Sequence, residues 1–203
     1  MGYGLLLIGY FLANILPVIS FLSVAMPIGY AVMAVALWRL APYDKRFLFG
    51  FAAAIATLPL ALYYAVYGIL ELGGGGIGFF GPAVFAVISW VYFVFSLAFT
   101  ALLLWAQAAY ARESGLSTLQ SNAWRNLTFV GIYHLLYLAV SILSAFGVQH
   151  TSAFVIPMTM LRYLCVFLNL WLFFQCYRTI LPEGSEVMAP PEAPTPKGKG
   201  KTS

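Results

Sequence analysis

Residues 47–70 read FLFGFAAAIATLPLALYYAVYGIL, with no Asp, Glu, Lys or Arg among them. A helix needs about 20 apolar residues to cross a hydrocarbon core about 30 Å thick, and this stretch supplies them. A barrel strand would instead alternate polar and apolar residues over about ten positions. In lipid the backbone must satisfy its own polar groups, so a continuous apolar run of this length is a transmembrane α-helix.

The same character recurs on both sides, at 4–38, 82–110, 127–146 and 152–177. Of the 203 residues 63% are hydrophobic and 8% charged. A soluble domain carries about 25% charged residues, so this chain could not cover its surface in water. The expected fold class is all-α, a polytopic transmembrane helical bundle over 1–181. The remainder, 182–203, is a Pro/Lys-rich tail with too little apolar content to fold. Glu183, Glu186 and Glu192 offset its three lysines, which favours a solvated tail over a lipid-binding one.

The first segment is the hardest to divide. As one helix, 4–38 would be about 50 Å long, and Pro17 and Pro27 interrupt it. Two passes of about 15 residues meeting near 20–23 would be thin for a bilayer. The expectation is therefore one long, Pro-kinked span and five spans in all, or six if 1–40 splits. A cleaved leader is not expected, because no basic residue occurs before Arg39.

Basic residues in short loops set orientation. Arg39, Lys45 and Arg46 lie in the first connector, Arg112 and Arg125 in the third, and Arg178 after the last span. The connectors 71–81 and 147–151 hold no Lys or Arg, only Glu71 and His150. Five spans then place the N-terminus outside and the C-terminus on the cytoplasmic or matrix-like side.

At about 100° per residue, polar residues in the spans fall on stripes. Ser89, Tyr92, Ser96, Thr100 and Gln107 share one face, and Arg162, Cys165, Asn169 and Cys176 another. Asn126, His134, Tyr137, Ser141 and Ser144 form a third, and Gly50, Thr57, Tyr64, Tyr67 and Glu71 a fourth. Lipid penalises polar groups, so these faces should turn toward one another or toward a partner. Arg162 is the only cation in mid-span, and such an arginine is costly and usually functional. The candidate ligand-binding set is Arg162, His134, Tyr137, Tyr92, Ser96, Asn169 and Tyr64. In the competing reading Arg162 is satisfied internally, by carbonyls freed near Pro157, by tyrosines, or by Glu71.

Several chemistries lack their residues. The single Asp, Asp44, falls in a loop, no Glu sits in mid-span, and no zinc-type spacing or phosphate-loop motif occurs. His134 and His150 are too far apart to share a metal, and Cys165 and Cys176 too far apart for a disulfide. No cofactor and no metal are expected; only His134 and Cys165 leave enzymatic chemistry open. Two functions remain. One is an accessory or structural subunit that packs against itself, as a homo-oligomer, or against other membrane subunits. The other is a ligand-binding bundle, a small transporter or receptor, using the seam around Arg162. The expected partners are the lipid bilayer, such subunits, and an anionic lipid or small ligand, with no nucleic acid.

Overall fold

In a computed structural model, residues 2–18, 23–74, 81–146 and 151–180 are described. His150, residues 75–80 of the glycine-rich connector and the tail 182–203 lie outside them. The described residues form six α-helices: α1 (Gly2–Asn14), α2 (Ala25–Leu40), α3 (Phe47–Leu72), α4 (Pro82–Glu113), α5 (Ser117–Ala145) and α6 (Val155–Thr179). Short 3₁₀ turns cover Leu16–Val18 and Thr151–Phe154. By length and composition α3 to α6 can cross a membrane, while α1 and α2 are shorter apolar helices. At 1.5 Å per residue these two span about 20 and 24 Å.

The expectation of one long kinked helix over 4–38 is therefore corrected. The chain breaks after Asn14 and folds back, so that α1 packs along α2. Each proline has a place in this break. Pro17 cannot donate the N–H that would continue the α-helical ladder, and the chain leaves α1 through the 3₁₀ turn Leu16–Val18. Pro27 sits in the first turn of α2, where its missing N–H costs nothing. The two helices then touch backbone to backbone. A Cβ on Gly29 would lie 2.5 Å from the Ala13 nitrogen and 2.6 Å from the Gly9 carbonyl oxygen. Small residues at such a crossing let transmembrane helices gain contact that apolar bulk alone cannot provide in lipid.

Each helix packs against its chain neighbours, and α6 returns to α1, closing a ring of six. This doubling-back brings Gly2 and the C-terminal end of α6 to the same end of the bundle. A Cβ on Gly2 would strike the Leu40 side chain, and one on Gly4 would touch Tyr177. Tyr3 meets Phe47 edge-on, with centroids 6.4 Å apart. Gly2 and Thr179 thus share one end of the bundle with Arg39, Lys45, Arg46 and Arg112, called here the basic end.

The two ends are filled differently. Toward the basic end, Leu37, Phe47, Phe99, Leu103, Leu104 and Phe173 are almost wholly buried. α1, α2 and α3 bury residues along their whole lengths. By contrast, burial begins only at Phe99 in α4 and at Cys165 in α6. In α5 no residue past Val130 is buried among those described.

Candidate functional site

Where burial ceases the ring surrounds a half-open cavity of about 540 Å³, to which every helix contributes. Tyr10 and Asn14 come from α1, Met26 from α2, and Tyr64, Tyr67 and Glu71 from α3. The stripe Ser89, Tyr92, Ser96 and Thr100 comes from α4, with Phe93 beside it. α5 supplies Tyr133, His134 and Tyr137, and α6 supplies Arg162, Cys165 and Val166. The volume falls within the 300–1,000 Å³ usual for small-molecule sites.

The floor is aromatic. Tyr30 and Tyr92 share a hydrogen bond between hydroxyls at 3.2 Å. Tyr30 packs edge-on against Phe99 (5.5 Å) and Tyr10 against Phe173 (5.0 Å). One wall is a short hydroxyl chain. Ser89 donates to the Phe85 carbonyl at 2.8 Å, so its lone pair accepts the proton of Tyr64, also at 2.8 Å. On another wall His134 Nδ1 lies 2.8 Å from the Val130 carbonyl. A carbonyl only accepts, so Nδ1 carries a proton, and Nε2 is the free acceptor when the ring is neutral. The His134 ring leans on Phe93 (4.9 Å), which stacks on Tyr137 (5.2 Å, 26°).

Arg162 lines this chamber and makes no hydrogen bond or ion pair with another described residue. Its charge is close enough to act on Tyr10, Tyr92, Tyr133 and His134. The ion pairs among the described residues are those of Arg46 with Asp44 and Glu113, at the basic end. Glu71 lines the same cavity without pairing with Arg162. Nor does Pro157 free a carbonyl for it, since that proline stands in the first turn of α6.

Six of the seven candidate residues, Arg162, His134, Tyr137, Tyr92, Ser96 and Tyr64, therefore line one cavity. Asn169 does not. It is fully buried below the floor, where its Nδ2 donates to the Tyr10 hydroxyl at 2.9 Å. Its part is to fix Tyr10, which does line the cavity. Tyr10, Tyr133 and Phe93 were not among the candidates. Tyr10 was hidden by reading 4–38 as one span, and Tyr133 stands one residue off the α5 stripe.

The chamber thus offers one fixed cation, an acceptor nitrogen, several hydroxyls and aromatic walls. An anionic group could bind a guanidinium that has no carboxylate partner among the described residues. Asn126, from the α5 stripe, instead ties helices together, donating to the Leu168 carbonyl at 2.8 Å. Among known proteins, no family, no curated sequence and no solved structure matches this chain.

Proposed function

We propose that this protein is a ligand-binding membrane bundle that holds an anionic group on Arg162 inside its ring of helices. The observation that carries this reading is an arginine without a hydrogen-bond or ion-pair partner among the described residues, in a chamber lined by all six helices. The accessory-subunit reading needed the polar faces for a neighbour. Here those faces are largely spent within the chain, on the cavity and the core beneath it. The outward surface is left to large apolar side chains such as Leu135, Phe167 and Trp171, which suit lipid.

Orientation follows from the ring. All described Lys and Arg residues except Arg162 lie toward the basic end, which the positive-inside tendency assigns to the cytoplasmic side. With α1 and α2 each taken as a thin crossing, the proposed topology has six passes, with Gly2 and Thr179 on that side.

The test is a thermal-shift panel of small anions, including inorganic phosphate, glycerol phosphate and acetate. It is run on the native chain, Arg162→Gln and Arg162→Lys in detergent. A ligand at a hundred times its Kd should stabilise the native chain by about 2.7 kcal/mol, and Arg162→Gln should lose this response. Arg162→Lys should keep only part of it, since a point charge replaces the planar fork. Equal responses in the native chain and Arg162→Gln would refute the reading.

A further inference from the structure

The cavity has a neighbour. A second hollow of about 720 Å³ lies between the outer halves of α4 and α5, reaching Val155 at the start of α6. It shares Phe85, Ser89, Phe93 and Tyr137 with the central chamber, so the two adjoin at those side chains. The partition is the stacked pair Phe93–Tyr137. On its other side the hollow is bounded by Ala86, Trp90, Val140 and Val155, and it faces sideways: Trp90 is 44% exposed and Val155 61%.

Two further observations bear on its occupant. The polar stripe of α5 turns at Tyr137: His134 and Tyr137 line the chamber, while Ser141 and Ser144 line the lateral hollow. These hydroxyls give an otherwise apolar hollow two points at which a polar group can be met. In addition, α5 is the least embedded wall, with 6% of its apolar window buried against 22% for α4 and for α6.

From this geometry we infer that the ligand is a membrane lipid with an acidic headgroup. It reaches Arg162 sideways, between α4 and α5, from the leaflet opposite the basic end. This rests on the cavity reading and names its ligand class. The headgroup passes the hydroxyls of Ser144, Ser141 and Ser89 and displaces the Phe93–Tyr137 stack. It settles on Arg162 while its chain stays in the lateral hollow against Trp90, Val140 and Val155. The chain gains nothing by leaving bilayer for hollow, because both are apolar. Selectivity therefore lies in the headgroup, and the hollow supplies the route.

The test uses the full chain in phosphatidylcholine nanodiscs that carry a minor fraction of phosphatidic acid. Native mass spectrometry then reads the phosphatidic acid retained per chain. The native chain should retain one in preference to phosphatidylcholine. Arg162→Gln should lose that preference by about tenfold or more, as expected when a charge-assisted contact goes. Ala86→Trp and Ser144→Trp, both at exposed positions and so not expected to disturb folding, should fill the hollow. They should lower retention similarly while leaving the thermal response to glycerol phosphate intact. If glycerol phosphate binds through Arg162 but phosphatidic acid is not enriched, the lipid inference fails and the cavity reading stands. Retention unaffected by both tryptophans would overturn the lateral route. Retention unaffected by Arg162→Gln would overturn the inference and the cavity reading together.

Discussion

The first three helices and the last three solve the same problem in different ways. α1, α2 and α3 bury residues from end to end, and at Gly9 and Gly29 nothing separates the backbones of α1 and α2. α4, α5 and α6 join that core only through their basic-end halves, and beyond Phe99, Val130 and Cys165 they stand around a chamber. In lipid no hydrophobic force pulls helices together, so association depends on contact and hydrogen bonds. Where small residues permit contact the bundle closes, and where tyrosines, serines and an arginine face inward it stays open. Close packing and the chamber thereby occupy separate ends of the same helices.

Substitutions should break this comparison in a definite order. The largest effect is expected for Phe173→Ala, which empties a fully buried site under Tyr10. It should cost about 3–5 kcal/mol, read as a fall in thermal midpoint or in denaturant resistance in detergent. Next comes Gly29→Ala, whose new methyl group would meet the backbone of α1. A loss of about 1–3 kcal/mol is expected, and no loss would mean that α1 and α2 are not held in contact. Gln107 should respond in the opposite sense. It is 2% exposed and neither side-chain polar atom has a hydrogen-bond partner among the described residues. Gln107→Met should raise stability by about 1 kcal/mol or more.

The smallest effect is expected at Arg162 itself without ligand. Because Arg162 has no hydrogen-bond or ion-pair partner among the described residues, Arg162→Leu should shift apo stability by no more than about 0.5 kcal/mol, or raise it. A marked fall would make Arg162 a structural tie and blur the contrast between the two ends.

Much of the chamber was legible because lipid punishes a misplaced polar group. Arg162, Tyr92, Tyr137 and His134 had to share an inward direction. Asn169 shows the limit of that method. It lies on the Arg162 stripe but seven positions on, about 10 Å deeper, and a stripe says nothing about where filling stops. The break between α1 and α2 was masked by thickness arithmetic, which favours one long span over two thin ones. The better signal was local: Pro17 and Pro27 sit where one helix ends and the next begins, and Gly9 and Gly29 supply the crossing.

The way α5 is fastened has a mechanical consequence. Its polar ties to α6, Asn122 to Gln175 at 3.1 Å and Asn126 to the Leu168 carbonyl at 2.8 Å, fall in its first ten residues. Past Val130 the helix is a rod of about 22 Å without such a tie or a buried residue among those described. A rod clamped at one end magnifies small rotations. A tilt of about 10° at the clamp would carry the free tip roughly 4 Å, given the helical rise. That displacement is comparable to the thickness of an aromatic ring, and it would occur beside the stacked Phe93 and Tyr137 without loosening a single contact at the clamp.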